Sequence, residues 1–252
     1  MSKPMLFYSQ VEGLSRTKDN KRCFTAISDY SFAGTSHLLP LSGVEFAQAA
    51  RDYPIVFVGE KDGYHPAALL GLDAGYNEFV DENRSWRPNT YIPAIVRRYP
   101  FVLAETGNNS EDLVVCFDPT YSGWGSDGQT LFDEAGNNSQ FLNDTLRFLN
   151  TFTAEMERTA DFVGGLVKHK LLCERDITVQ SSKGNIFHVK KVFIVDEDAL
   201  RNLSERAIKY FNRSGLMGWI YAHLVSLGNL PKLLELKLER ESSVQTAVSK
   251  AV

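Results

Sequence analysis

Between Ser139 and Leu171, the residues Phe141, Leu142, Leu146, Leu149, Phe152, Met156, Thr159, Phe162, Val163, Leu166 and Val167 recur at three- and four-residue spacing. That period lines apolar side chains along one face of an α-helix, so the stretch 140–171 predicts one long amphipathic rod. Gly164-Gly165 marks the place where such a rod would break. A helix of this kind must bury its stripe, and the rest of the chain has to supply the receiving surface. The same stripe, together with the apolar segment LMGWIYAHLVSL, would also suit a partner helix, but the neighbouring helical segments favour packing within the chain.

The first half reads as strands. IVFVGE (55–60), PAALLGL (66–72) and NEFV (77–80) are separated by the turn formers Lys61-Asp62-Gly63 and Asp73-Ala74-Gly75, which predicts an antiparallel meander. PFVLAE (100–105) and DLVVCFD (112–118), joined by TGNNSE, predict two more strands. Two helices interrupt them. One starts at Ser42 as N-cap and stops before Pro54; the other is NTYIPAIVRRY, where Ile92, Ile95, Val96 and Tyr99 share a face. Residues 1–40 carry few periodic patterns and are expected to wrap the core.

After the rod, DITVQS and IFHVKKVFIV flank Ser182-Lys183-Gly184-Asn185 and predict a hairpin near 176–195. Strict alternation would set Ile186, His188, Lys190 and Val192 against Phe187, Val189, Lys191 and Phe193. Asp196 and Ser204 are the expected caps of DALRNL and ERAIKYFNR, with Gly215 ending the second. LMGWIYAHLVSL predicts a third helix and PKLLELKLER a last one, leaving 241–252 as a loose tail. The fold class is therefore α+β, with antiparallel strands mainly in the N-terminal half and helices in the C-terminal half, expected as one domain over 1–252.

Charge narrows the function. A net charge of -4 and a pI near 5.8 give no electrostatic footprint for nucleic acid. Cys23, Cys116 and Cys173 are spaced for neither a disulfide framework nor a CxxC metal site, so reduced thiols are expected. No window reaches the roughly 18 apolar residues of a membrane helix, and the N-terminus lacks the apolar core of a secretory signal. A cytoplasmic location is expected, with signal-independent export to the cell surface as the alternative.

The densest cationic and aromatic cluster comprises Arg84, Trp86, Arg87, Tyr91, Arg97, Arg98 and Tyr99. Guanidinium groups among aromatic rings can hold a carboxylate or phosphate by bidentate pairing. Against that stands a structural reading: Arg97 and Arg98 end a helix, where positive charge complements the dipole. Gly123, Gly125 and Gly128 in GWGSDG satisfy GxGxxG, yet no βαβ unit follows, so a surface loop with an exposed Trp124 is expected rather than a dinucleotide site. His37, His65, His169, His188 and His223 show no metal-ligand spacing, and no cofactor is predicted. His65, in DGYHP, becomes an acid or base only if a distant carboxylate meets it. Cys116 becomes a nucleophile only beside a histidine, and a buried, inert thiol is the simpler reading.

The strings DYSFAGTSHLLPL, FAQAARDYPIVFVG, ALLGLDAGYNEFVDENRSW and YIPAIVRRYPFVLAE resemble the N-terminal half of bacterial SapC-family proteins. LFDEAGNNSQFL, NIFHVKKVFIVDEDALRNLSERAI and SGLMGWIYAHLVSLGNLPKLLE extend the resemblance across residues 6 to 237. The resemblance implies association with a surface layer and gene neighbours such as TonB-dependent receptors, tryptophan-halogenase-like flavoproteins and cupin or JmjC-like proteins. It brings no catalytic motif, so no functional residue is carried over. Two expectations follow. The first is a non-enzymatic interaction protein with a protein partner or a peptide or amino-acid ligand. The second is an enzyme, or an accessory subunit of one such as a flavin-dependent halogenase, whose site converges around His65, Trp86, Arg87, Arg97 and Cys116.

Overall fold

The computed structural model of the chain describes residues 5–60, 63–105 and 113–251. The loop TGNNSE and the start of the Lys61-Asp62-Gly63 turn lie outside them. Strands and helices alternate in the order β1 (Glu12–Gly13), β2 (Cys23–Phe24), β3 (Leu38–Pro40), α1 (Phe46–Ala49), β4 (Ile55–Glu60), β5 (Gly63–Leu69), α2 (Ala94–Arg97), β6 (Phe101–Glu105), β7 (Leu113–Phe117), β8 (Trp124–Gly125) and β9 (Gln129–Thr130). There follow α3 (Gln140–Lys168), the hairpin β10 (Leu172–Gln180) and β11 (Ile186–Val195), then α4 (Glu197–Arg201), α5 (Glu205–Arg213), α6 (Leu216–Ser226) and α7 (Leu230–Ala251). All strand pairing is antiparallel and the class is α+β.

The long helix forms as its periodicity predicts. Ser139 sits in extended backbone and its Oγ accepts the Leu142 amide at 3.1 Å, which satisfies one of the free N-terminal donors. At 1.5 Å per residue the 29-residue helix is roughly 44 Å long. Gly164-Gly165 does not break it. Gly165 is buried below the rings of Phe211 and Tyr210, where a Cβ would stand 3.4 and 3.7 Å from them, so a small residue suits a close helix contact.

Two apolar clusters share this rod. Its first half, through Leu142 and Leu149, packs with Phe101, Phe117, Leu131 and Phe132 against the small sheets β1-β7-β6 and β8-β2-β9. Its second half, through Phe152, Phe162, Val163 and Leu166, joins the larger cluster under the sheet β10-β11-β4-β5-β3. That sheet is closed from below by α6, whose Ile220 and His223 are fully buried.

Several local expectations are corrected. NEFV is not a strand: Asn77 Oδ1 accepts the Phe79 amide at 2.9 Å and its Nδ2 donates to Ala33 O, so the side chain holds a turn. The third strand beside β5 is instead β3, an edge strand where the missing N–H of Pro40 costs nothing. The helix predicted over NTYIPAIVRRY shrinks to the single turn α2, because Pro93 sits extended at its N-cap and disfavours helical backbone before it. Alternation along β11 fails at Lys191, which has φ 56°; its amide donates to Asp176 Oδ1 at 3.0 Å, and a bulge shifts the register. Residues 241–251 continue α7 rather than forming a loose tail. The Ser242 and Ser243 hydroxyls fold back onto the Glu239 carbonyl, so the polar residues there are compatible with helix despite lacking an apolar stripe.

Candidate functional site: an aromatic cleft with two arginines

The site begins at Glu45, a buried carboxylate 4% exposed. Its Oε2 accepts the Ser42 amide at 3.0 Å and the Ser42 hydroxyl at 2.7 Å, while Oε1 accepts the Ala94 amide at 2.6 Å and the Tyr91 hydroxyl at 3.0 Å. One carboxylate thus ties the turn before α1 to the first turn of α2. Tyr91 passes the connection on, since Arg97 Nη2 donates to its oxygen at 3.1 Å and Arg97 Nε donates to Ile92 O at 2.9 Å. The guanidinium lies 5.6 Å from the Tyr91 ring centre and 5.3 Å from that of Phe148, so aromatic faces hold it on two sides.

Arg98 follows on the inner side. Its guanidinium lies 5.1 Å from the ring of Phe152 and 5.8 Å from that of Tyr8. Its buried Nε–H has no acceptor among the described residues. Neither arginine is paired with a carboxylate among the described residues.

Both arginines line an open cleft of about 310 Å³ where the first half of α3 crosses α2 and β2. Its walls are rings: Phe24 stacks on Phe141 at 4.9 Å and 15°, and Phe101, Tyr99 and Phe148 complete the lining. Asp144 and Thr145 stand on the α3 side. Asp144 is already engaged by Arg147 at 3.0 Å and by the Gln140 amide, so the unspent charge of the cleft is positive. Burial pushes the Tyr91 and Tyr99 phenols up to about 12, and nearby carboxylates, Glu45 and Asp118 respectively, add to the shift. Burial raises Tyr8 further still. All three remain neutral near pH 7 and can donate hydrogen bonds but not act as bases.

The other sequence candidates lie elsewhere. Arg84, at φ 63°, is an exposed turn residue paired with Asp29 at 3.2 Å. Arg87 is exposed nearby. Trp86 is a core residue, 6% exposed, whose indole N–H donates to the Tyr53 hydroxyl at 3.2 Å. His65 belongs to β5 opposite Val58, whereas Cys116 lies in β7 of a different sheet, opposite Val102, with its thiol pushed up by burial. Trp124, expected on the surface, is half-buried: its N–H donates to Asp118 O at 2.8 Å and its ring meets Phe24, Phe101, Phe117 and Tyr121.

The glycines around Trp124 serve packing. A Cβ on Gly128 would stand 2.5 Å from Phe24 O, and one on Gly123 at the same distance from the Tyr121 ring. No helix opens at Gly128; β9 begins at the next residue, Gln129. Among the described residues no group of three or more His, Cys, Asp and Glu could hold a metal ion, and no helix is long and apolar enough to cross a membrane.

Sequence reasoning missed Glu45, Phe24 and Tyr8. Glu45 carried a signal, because Ser42-Gly-Val-Glu45 has the spacing of a capping box. Phe141 and Phe148 were visible as stripe residues, but nothing local showed that they would face α2 across a cleft.

The architecture is that of an α+β protein carrying one arginine-bearing aromatic cleft at the junction of two apolar clusters. The chain belongs to the SapC family, whose model matches residues 14–233. No curated protein and no solved structure gives a match.

Proposed function

We propose that this SapC-family chain is a non-enzymatic binding protein, acting as one unit over 1–252, whose cleft takes a small carboxylate with an apolar body. An amino acid with an aromatic side chain, or the C-terminal residue of a peptide, has that chemistry. The observation that carries the reading is that Arg97 and Arg98 line the cleft beside five aromatic rings and neither has a carboxylate partner among the described residues. A carboxylate accepting from a guanidinium forms a charge-assisted hydrogen bond, stronger than a neutral one, while its apolar part covers the rings. The cleft volume suits a ligand of this size. The enzyme reading has less support, since His65 and Cys116 stand in separate sheets and neither lines the cleft. A cytoplasmic location and cooperation with a partner protein in peptide or amino-acid handling belong to the same proposal.

Calorimetric titration with phenylalanine, tryptophan and dipeptides ending in them tests it, alongside Arg98→Met. Saturable binding that the variant weakens at least tenfold is expected. Absence of binding across the panel, or equal binding by the variant, overturns the reading.

A further inference from the structure

A second groove, of about 600 Å³, lies at the far end of α3, where its last turns face α5. Lys168, His169 and Arg206 line it, with Asp161 as the one acidic group on its walls among the described residues. Among the described residues neither Lys168 nor Arg206 is paired with a carboxylate. Among the described residues the His169 ring makes an edge contact with Phe211, at 5.7 Å between ring centres. Unpaired cations of like sign brought together from two helices repel one another, and an anion between them would remove that cost.

The floor adds a second observation. Gly165 is explained by its burial against Phe211, but Gly164 is not: a Cβ there would meet nothing within 4 Å and would point into the open groove. A glycine inside a helix costs roughly 0.5–1 kcal/mol relative to alanine. Packing within the chain does not require it, while an occupant lying flat on the helix would. Beside it stands Tyr210, a lining residue that is 47% exposed.

We propose that this groove is a separate ligand site for a phosphorylated small molecule with a planar apolar part. The phosphate lies among Lys168, His169 and Arg206, and the planar part rests on Gly164 against Tyr210. A phosphate fits better than a carboxylate because three cationic or donor side chains, Lys168, His169 and Arg206, line the one groove, matching its extra charge and third oxygen. The site lies about 20 residues, or roughly 30 Å, along α3 from the arginine cleft and is independent of it.

Calorimetric titration of the full chain with phenyl phosphate tests the proposal, with inorganic phosphate and benzoate as separate arms. Saturable binding of phenyl phosphate is expected, tighter than either control. It should weaken at least tenfold in Lys168→Glu/Arg206→Glu and in Gly164→Leu, and stay unchanged in Arg98→Met. These substitutions are at exposed positions, and an unchanged or higher thermal midpoint for Gly164→Leu shows that the fold is kept. No saturable binding, or binding unaffected by these variants, overturns the site. Benzoate binding as tightly as phenyl phosphate overturns the phosphate assignment, and inorganic phosphate binding as tightly overturns the role of Gly164 and Tyr210.

Discussion

His223 on α6 and Ile55 at the start of β4 are joined through the His223 Nδ1–H, which donates to the Ile55 carbonyl at 2.9 Å. On its other side the ring accepts the Val195 amide at Nε2, 3.1 Å away, so the neutral tautomer alone satisfies both partners. One turn later the Ser226 hydroxyl accepts the Ile55 amide at 2.8 Å. A buried imidazole thereby links a helix to two strands of the central sheet.

Stability should fall in mild acid because of this ring. Burial holds His223 at about 4, down from 6.5, with its bond to Ile55 opposing the shift. The unfolded chain protonates its histidine first as pH drops, so the contribution is complete above pH 6.5 and is lost progressively down to about 4. The loss is on the order of 3 kcal/mol. Urea unfolding at pH 7.5 and 4.5 checks it, and His223→Gln should flatten that part of the profile.

Glu45→Ala should destabilise the chain by about 2–4 kcal/mol, since it strands the Ser42 and Ala94 amides and the Tyr91 hydroxyl in the interior. Arg97 loses its anchored partner in the same step. Chemical denaturation gives the stability change, and binding of aromatic amino acids should weaken even under conditions where the variant is fully folded.

Arg240 lies on α7 and grips Glu78, whose side chain is 3% exposed, at 3.0 Å, and Asp73 at 2.8 Å. Arg240→Ala leaves that glutamate buried without its bidentate partner, an expected loss of about 2–3 kcal/mol given the partial exposure of the arginine. Arg240→Lys keeps the charge but not the fork and should lose roughly half as much. Thermal unfolding separates the two variants.

Thiol reactivity should divide by burial. Cys23 and Cys116 are buried and Cys173 is only partly so, with burial raising the thiols of Cys116 and Cys173. A chromogenic disulfide reagent at pH 7 should titrate at most one thiol quickly in the folded chain and all three in denaturant. Rapid reaction of two or more in the folded state would contradict the arrangement.

Much of the architecture was legible because period and punctuation agree locally. The rod on α3 and the caps at Asp196 and Ser204 each rest on residues within four positions of one another. What escaped depends on distant partners. β3 takes the place expected of NEFV because its register with Ala67, Ala68 and Leu69 is set across the sheet, and Lys191 turns positive in φ to meet Asp176 on the opposite strand. For the site, the sequence showed the arginines as a cluster, but only folding separates Arg84 and Arg87, left on an outer turn, from Arg97 and Arg98, which line the cleft with Phe141 and Phe148.

The contacts of α6 and α7 with the first third of the chain also impose an order in time. The Ile55 amide and carbonyl wait for Ser226 and His223, and Asp73 and Glu78 wait for Lys237 and Arg240. During synthesis the early strands must persist without these partners until some 160 further residues have been joined. The nascent chain is therefore exposed to misassociation until α7 is made, and a ribosome stalled before Leu216 would carry a sheet with neither its buried amides nor its buried glutamate satisfied.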